Sequence, residues 1–419
     1  MNSRERVLAS INHIEPEKVP VDLGSNPSSA ISAIAYDNLK KHLGFSHPTL
    51  IYDVVQQLAQ PHDDVLDCLG LDVVDLGRMF NTQAEDWYPI SMPNGQKAFY
   101  PKWFKPEKSE DGSWIGKDKD GRAIAKMPNN ATFFDQTFHP WADAYPHNMK
   151  GLDKAMSQVL WSAFVHSPWD NMDKADFWEE LRYKTLKLRK DTDRAIMVVA
   201  GCNLFEWGTF IRRMDNFLID PLIAPEDVHA FLDALMERHM AFLAKVCEAV
   251  GDIADIIRFG DDLGAMNGPF MDKETYKQFF KPRHKLLCDF VKTNSNMKSF
   301  LHSCGSIYSL IPDLIDAGFE ILNPVQTQCR DMEPEKLKNE FGKEITFWGG
   351  GIETVGTLNI GSEEDVRKQT LERLEILSKG GGFVFNPIHN IMPDVPPENI
   401  LAMINAVKEF NGEAKIRIN

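Results

Sequence analysis

The sequence predicts an α/β protein of the (β/α)8 TIM-barrel class, and three observations favour this fold. The chain has 419 residues, a length that suits such a barrel with insertions. From about residue 170 onward, short and almost fully apolar runs alternate with helical patterns, as a parallel sheet buried on both faces requires. No GxGxxG motif follows the first predicted strand, which argues against a doubly wound dinucleotide-binding sheet. We therefore expect a single domain over residues 1–419.

The first part of the chain contains the patterns of three helices and two strands. Ser3 is a candidate N-cap of the first helix, and Gly44 and Gly70 end the other two, since glycine commonly terminates helices. The predicted elements are a helix over 3–13, a strand over 19–24, helices over 30–43 and 62–69, and a strand over 72–76.

Residues 85–145 have a different sequence pattern, in which tryptophans alternate with turn signals. These signals are Pro-Asn-Gly at 93–95, Asp-Gly-Ser at 111–113 and Asp-Gly at 120–121, separated by short strand-like runs. Such spacing is typical of antiparallel β-hairpins. We interpret the segment as a β-rich insertion that caps one end of the barrel or mediates self-association, and we expect a homodimer.

The rest of the chain supplies six more strands, which with the two earlier ones make eight. Ser362 and Asp365 form a capping-box pattern at the start of one intervening helix, and Pro396-Pro397 begin the last helix, which ends near Gly412. The six strands are expected at 195–200, 255–259, 298–301, 320–323, 345–348 and 383–386.

Composition restricts the class of partner. The formal net charge of −15 argues against binding to a nucleic-acid backbone or an anionic membrane surface. The six cysteines are scattered without a CxxC motif, which fits free thiols in a reducing compartment. The sequence shows neither a signal-peptide pattern nor about 20 continuous apolar residues, so we expect a cytoplasmic protein that does not span a membrane.

His302 and Cys304 follow the predicted strand at 298–301. They are two residues apart, so in extended chain their side chains leave on the same face. An imidazole and a thiol side by side are two ligands suited to zinc. The alternative is a buried histidine that hydrogen-bonds to backbone beside an inert cysteine.

Polar side chains follow the other predicted strands as well, at the end where TIM barrels carry their active sites. Any one of them has an alternative explanation, because Asp and Asn after a strand are common N-caps of the next helix. The candidates are Cys202, Asn203, Glu206, Asp261, Asp262, Asn323, Gln326, Glu353, Asn386 and His389.

The third ligand of a metal site is open at this stage. His389 follows the last strand, which neighbours the first in a closed barrel, so it is placed to act as third ligand or as a general acid. Alternatively, it hydrogen-bonds to Asp394 or to backbone in its Pro-rich loop. Cys329 is the main rival, although its neighbours Arg330 and Asp331 favour a surface position.

Several segments resemble the uroporphyrinogen decarboxylase superfamily, and the similarity spans nearly the whole chain. The family fold is a (β/α)8 barrel. The segments that carry the resemblance are Ser-Arg-Glu-Arg-Val at 3–7, Phe-Leu-His-Ser-Cys-Gly at 300–305, Asn-Pro-Val-Gln at 323–326, Phe-Trp-Gly-Gly-Gly at 347–351, Gly-Gly-Phe-Val-Phe-Asn-Pro-Ile-His-Asn-Ile at 381–391 and Pro-Pro-Glu-Asn-Ile at 396–400.

The superfamily contains two main chemistries, and the resemblance favours the second. True decarboxylases carry an Arg-Gln-Ala-Gly-Arg motif after the first strand to neutralise a tetra-acidic porphyrinogen, whereas residues 21–30 here contain no arginine. The other branch consists of zinc-dependent methyltransferases that act on a corrinoid carried by a partner protein. Their zinc is held by a His-x-Cys, matched by His302 and Cys304, and by a later Cys, where this chain has His389.

The resemblance thus implies transfer of a methyl group between a small methylated substrate (a methyl ether, methylamine or thiol) and a corrinoid (cobalamin) on a partner protein, as in demethylation and one-carbon metabolism. Zinc acts as the Lewis acid. Glu206 or Asp261 is the expected carboxylate ligand, orienting group or catalytic group. Four residues are expected to bind substrate or wall its pocket: Asn203, Trp207, Asn323 and Gln326. Trp348 either walls the same pocket or belongs to the core.

Three other hypotheses stay open. The first is a decarboxylase of porphyrinogen or a related acid that works without metal. The second is a non-catalytic corrinoid- or tetrapyrrole-binding protein that has kept the barrel. The third is another metal-assisted lyase or hydrolase.

Overall fold

Seven parallel strands form one curved sheet in the computed structural model, which describes residues 1–418. Each strand pairs with the next one in chain order, and helices connect them. The strands are β1 (Val73–Asp75), β2 (Ala195–Gly201), β3 (Ile256–Gly260), β4 (Lys298–His302), β5 (Ile321–Asn323), β6 (Thr346–Trp348) and β7 (Phe383–Val384).

The segment at 19–23 lies between β7 and β1 and closes the sheet. Val21 forms a parallel bridge with Phe385, and the N–H of Asp22 donates to the Phe385 carbonyl at 2.9 Å. On the other side the N–H of Asp72 donates to the Val21 carbonyl at 2.8 Å. The Val21 N–H donates to the Asp72 side chain instead of to backbone, which is why this eighth position is not a regular strand. The predicted TIM-barrel class is confirmed. Seven of the eight predicted strands are present, whereas the strand expected at 19–24 is wrong in detail, because only the Val21 bridge forms there.

The barrel interior contains a cluster of apolar side chains, and the first helix packs against one end of this cluster. Residues from the strands pack together there, among them Met197, Ile256 and Phe300. Val7 and Ile11 of the helix Ser3–Ile11 join the same cluster. The helix therefore covers the end at which the strands begin, and the opposite end remains for a site. Its N-cap is Asn2 and not the predicted Ser3, because the Asn2 side chain accepts the N–H of Glu5 in a capping box.

The helices largely follow the sequence patterns. The capping box of Ser362 and Asp365 is confirmed, and Gly70 ends its helix in the left-handed conformation, with a φ of 76°. Helices of six or more residues are Ser3–Ile11, Ala33–His42, Asp63–Leu69, Leu152–Ser157, Phe177–Asp191, Phe205–Arg212, Met214–Ile223, Pro225–Val250, Lys281–Asn294, Ile311–Ala317, Pro334–Phe341, Glu363–Leu377 and Pro397–Phe410.

The insertion consists of antiparallel strands, as predicted. Trp87–Ser91 pairs with Lys97–Pro101 in a hairpin, and a four-stranded sheet follows. Phe134 N–H donates to the Val55 carbonyl, and Trp141 N–H donates to the Ile211 carbonyl, so the segment packs against the chain before β1 and the chain after β2. The four strands are Glu107–Lys108, Trp114–Lys117, Ala123–Met127 and Asp135–Gln136.

One small element was not predicted. Ile31–Ser32, Ile51–Asp53 and Leu58–Ala59 form a three-stranded sheet, so the helix expected from residue 30 begins only at Ala33. Strands of two or three residues are too short to give a sequence period. Within residues 1–418 no helix combines the length and apolarity needed to cross a membrane.

Candidate metal centre

His302, Cys304 and His389 converge at the open end of the barrel. One nitrogen of each imidazole and the Cys304 sulfur all lie within 4.8 Å of one another. Nε2 of His302 is 3.4 Å from Sγ of Cys304, and the two imidazole centroids are 5.6 Å apart. The three residues proposed as ligands from the sequence are therefore neighbours, although Cys304 and His389 lie 85 positions apart in the chain.

Asn323 sets the orientation and tautomer of His302. His302 ends β4 and is paired in register with Asn323, which ends β5. The Asn323 amide nitrogen donates to the Trp348 carbonyl at 2.8 Å, so its oxygen faces Nδ1 of His302 at 2.7 Å. An amide oxygen only accepts, hence Nδ1 carries the proton and Nε2 keeps its lone pair. That lone pair points toward Cys304, the arrangement that a metal ligand needs.

His389 is held in a similar way. Its Nδ1 lies 3.0 Å from Oδ1 of Asn390, whose amide nitrogen donates to Gln56 at 3.2 Å. Burial lowers the pKa of His389. Burial, assisted by the positive charge of Arg258, lowers the pKa of His302 to about 3. Both imidazoles are thus neutral near pH 7, which is the form that coordinates metal.

The loop that carries Cys304 is fixed by three contacts. The Cys304 N–H donates to Oδ1 of Asp262 at 2.8 Å, and the Gly305 N–H donates to Oε1 of Gln326 at 2.7 Å. Gly305 has a φ of 88°, and a Cβ there would lie 2.3 Å from the Gly264 carbonyl. Burial, together with the nearby carboxylates, raises the pKa of the Cys304 thiol well above its usual value. The thiol is protonated until a metal displaces the proton.

The two carboxylates proposed from the sequence occupy different positions. Asp261 is fully buried and accepts the N–H groups of Phe205 at 3.0 Å and Glu206 at 2.9 Å, while His284 lies 3.2 Å away. These contacts cap the helix Phe205–Arg212 and favour an orienting role for Asp261. Glu206 is half-buried and accepts from Asn203. Burial and the neighbouring Asp262 and Asp261 raise its pKa well above the usual range.

The residues expected to contact substrate are mostly engaged with the protein. Asn323 is fully buried and uses both amide groups, so its contacts favour the support of His302. Gln326 holds the Cys304 loop through its oxygen, as described above. Trp348 is fully buried in the barrel interior and donates to Asp22, which excludes it as a pocket wall. Trp207 is half-buried, with its ring 6.3 Å from that of Phe210.

Cys329, the rival for the third position, lies away from the other ligands. The surface position favoured from its charged neighbours is wrong, because the side chain is buried and its sulfur contacts the sulfur of Met266 at 3.6 Å. The potential metal-binding groups found within residues 1–418 do not include it. The structure therefore favours His389 over Cys329.

Two further residues of the site, Asp262 and Arg258, have no role among the expectations drawn from the sequence. Asp262 was noted after its strand but given no role, and its Oδ1 lies 3.5 Å from Nε2 of His302. Arg258 faces the barrel interior from β3, where its charge affects the pKa of His302, Cys304 and His389. The signal for Arg258 was a charged residue in an otherwise apolar strand.

The donor set fits zinc. Two neutral imidazoles and a cysteine sulfur that loses its proton on metal binding are ligands that zinc prefers, and three protein ligands would leave one coordination position for substrate, as in catalytic zinc sites. Both histidines present Nε2 because their Nδ1 atoms are hydrogen-bonded to amide oxygens.

Comparisons with known proteins show which sequences this chain resembles. Residues 204–410 match the model of the family "Uroporphyrinogen decarboxylase (URO-D)". The chain is 28% identical over 179 residues to "Methylcobamide:CoM methyltransferase MtaA" of Methanosarcina barkeri (strain Fusaro / DSM 804). The aligned segment covers 43% of this chain and 48% of that protein. It is 24% identical over 193 residues to a uroporphyrinogen decarboxylase of Magnetococcus marinus, covering 44% and 49%. The chain thus spans about half the length of the curated relatives it matches.

A solved structure supports the fold over the whole chain. The structure described as "methyltransferase from Methanosarcina mazei" superposes with a TM-score of 0.58 at 18% sequence identity, covering 98% of this chain and 99% of that one. At this identity the similarity shows the fold. Together with the family match over residues 204–410, it confirms the predicted resemblance to the uroporphyrinogen decarboxylase superfamily and to its methyltransferases.

Proposed function

We propose that the protein is a zinc-dependent methyltransferase, which moves a methyl group between a small methylated substrate and a corrinoid (cobalamin) carried by a partner protein. The observation that carries the proposal is the convergence of His302, Cys304 and His389, with two Nε2 lone pairs directed by Asn323 and Asn390. The sequence similarity to methylcobamide methyltransferases supports it.

His302, Cys304 and His389 would hold the zinc. When bound, zinc supplies a Lewis acid that stabilises negative charge on the oxygen, nitrogen or sulfur from which the methyl group leaves, while the corrinoid supplies the centre that exchanges the methyl group. Asn323 and Asn390 keep the two imidazoles in their ligating tautomer. Asp262 and Gln326 hold the backbone of the Cys304 loop, so the thiol does not need to reorganise.

The carboxyl group of Glu206 is the candidate proton donor. Burial and the neighbouring Asp262 and Asp261 raise the pKa of this carboxyl group well above the usual range, which favours the protonated form, and Asn203 fixes its orientation. A protonated carboxyl group in a partly enclosed site is in the state required of a general acid. We assign to Glu206 the transfer of this proton to the departing heteroatom, and to Asp261 the positioning of the helix that carries it.

A decarboxylase without metal is the second candidate, because the same family match and one of the relatives carry that name. The segment after the first strand lacks the arginines that a tetra-acidic substrate needs, and the structure places buried serines there. Arg258 is the cation that faces this segment, through Ser28. One guanidinium is a poor match for several carboxylates, so the methyltransferase is favoured.

The test uses free cobalamin in place of the corrinoid partner. Zinc-loaded protein is mixed with methylcobalamin and a thiol, and separately with cob(I)alamin and a methyl ether, a methylamine or a methylated thiol, and the cobalt–carbon bond is followed by absorbance. We expect zinc-dependent exchange with one of these classes, its loss in His302→Ala, and normal exchange in the exposed control variant His47→Ala. The absence of exchange in every arm, or decarboxylation of uroporphyrinogen by metal-free protein, would contradict the proposal.

A further inference from the structure

Arg258 is a charged side chain inside the barrel. It lies on β3 in register with Phe300 of β4, and both Phe300 and Ile256, two residues before Arg258, belong to the apolar interior cluster. Because residues i and i+2 of a strand share a face, the Arg258 side chain enters the same interior, one layer nearer the open end. His302 lies two residues beyond Phe300 on β4, so the guanidinium and the metal ligands lie at the same end of the barrel.

The Arg258 guanidinium has few partners. One of its nitrogens donates to Oγ of Ser28 at 2.7 Å, and its Nε is enclosed without a hydrogen-bond acceptor. Within residues 1–418 no carboxylate lies within ion-pair distance of it, although the nearby Glu206 and Asp262 partly offset the effect of burial, which lowers its pKa. By contrast, the buried Arg212 is paired with Asp220 at 2.8 Å. A partly buried charge without an ion-pair partner is costly, so this position favours an anionic ligand.

A second unpartnered group belongs to the same region. The hydroxyl of Tyr52 is buried and makes no hydrogen bond, and Tyr52 packs in one apolar cluster with Ala30, two residues from Ser28. Tyr52 is held from the side by His166, whose ring lies 5.5 Å away. A fork of guanidinium N–H groups with hydroxyl donors beside it matches a planar carboxylate.

We propose that Arg258, Ser28 and Tyr52 form an anion subsite that binds the carboxylate of the small methyl-carrying or methyl-accepting substrate. The inference rests on the proposed function, since the heteroatom at the other end of that substrate must reach the metal site. The substrate class is then a short carboxylic acid that carries a thiol, a thioether or another methylated heteroatom. Neutral alcohols, amines and thiols lack the group that the subsite binds.

The test compares two small thiols of equal length, 3-mercaptopropionate and its neutral amide, 3-mercaptopropionamide. Their dissociation constants are measured by calorimetry on zinc-loaded protein whose zinc content is determined on the same sample. We expect the acid to bind about ten- to hundredfold more tightly than the amide, the advantage typical of a hydrogen bond to a charged group. The advantage should disappear in Arg258→Gln and persist in the control Arg182→Gln, which alters an exposed arginine paired with Asp252.

The two hypotheses fail in different ways. A wild-type protein that takes up no zinc contradicts the proposed function. Zinc-loaded wild type that binds acid and amide equally overturns the anion subsite, whatever the variants do. If Arg258→Gln does not fold, the subsite is tested by thermal stabilisation of metal-free wild type with propionate against propionamide at equal ionic strength, and by Ser28→Ala, which removes the observed partner. Equal stabilisation by the two compounds would overturn the subsite.

Discussion

Nδ1 of His302 lies 2.7 Å from Oδ1 of Asn323, and the two residues end adjacent strands in register. The contact joins the predicted zinc ligand to a residue from which substrate binding was expected. It fixes the proton on Nδ1 and leaves Nε2 free, which makes Asn323 part of the metal centre without being a ligand.

Replacing Asn323 should therefore weaken zinc binding without removing a ligand. In Asn323→Leu we expect the zinc affinity to fall by about ten- to hundredfold, because the imidazole loses the acceptor that selects its tautomer. Asn323→Asp keeps an acceptor at the same place and should retain most of the affinity. Competition with a chromophoric chelator measures both values. Equal affinities in wild type and Asn323→Leu would show that the contact does not orient the ligand.

Cys329 should be dispensable for metal binding. Its sulfur contacts Met266 and lies outside the cluster of His302, Cys304 and His389. We expect Cys329→Ala to retain the zinc content of wild type, whereas Cys304→Ala loses it. Metal analysis after dialysis compares the two variants. Loss of zinc in Cys329→Ala would return this cysteine to the ligand set.

The backbone at Gly305 should not tolerate a side chain. A Cβ at this position would lie 2.3 Å from the Gly264 carbonyl, in addition to the strain of a φ of 88°. Gly121 has a φ of 81° with no atom within 4 Å of its added Cβ, so Gly121→Ala controls for strain alone. Strain costs about 1–2 kcal/mol, and we expect Gly305→Ala to lose clearly more free energy of unfolding than this control. Equal losses in chemical denaturation would contradict the close contact.

Asp22 should make the protein less stable as the pH rises through the acidic range. It is fully buried, and burial raises its pKa from 3.8 to about 6, although Ser25 and Trp348 donate to it. The folded state therefore holds this proton more tightly than the unfolded state. The free energy of unfolding should fall between about pH 4 and pH 6, by on the order of 3 kcal/mol, and change no further above that range.

The variant Asp22→Asn has no proton to lose at this position. The free energy of unfolding of wild type should accordingly fall relative to that of Asp22→Asn as the pH increases from 4 to 7. Denaturant titrations at both pH values measure it. A difference that is independent of pH would mean that Asp22 does not titrate in this range.

The sequence predicted the barrel well because parallel strands leave a strong signal. Apolar runs such as 298–301 end in polar residues, and eight of them in order allow few other folds. The small sheet that includes Ile51–Asp53 escaped detection because its strands contain two or three residues and show no period. The N-cap was placed one residue late, because Asn2 and Ser3 are both good caps and only the backbone conformation distinguishes them.

The candidate site was predictable in part. His302 and Cys304 are neighbours in sequence, and their shared face follows from strand geometry. The contacts of Asn323 and Asp261 were not predictable, because a polar side chain at a strand end can face the cavity, a neighbouring side chain or the start of the next helix. Arg258 was not predicted for a related reason. The sequence of a strand that is buried on both faces does not show whether a single charged side chain points into the barrel or toward the helices.

The most direct test of the central claim is the zinc content of the purified protein beside that of three variants. The account predicts one zinc ion per chain in wild type, its loss in His302→Ala and Cys304→Ala, and a marked reduction in His389→Ala. Cys329→Ala provides the matched control. A wild-type protein that stays free of zinc after the metal is added, or three variants that keep a full complement, would contradict the account.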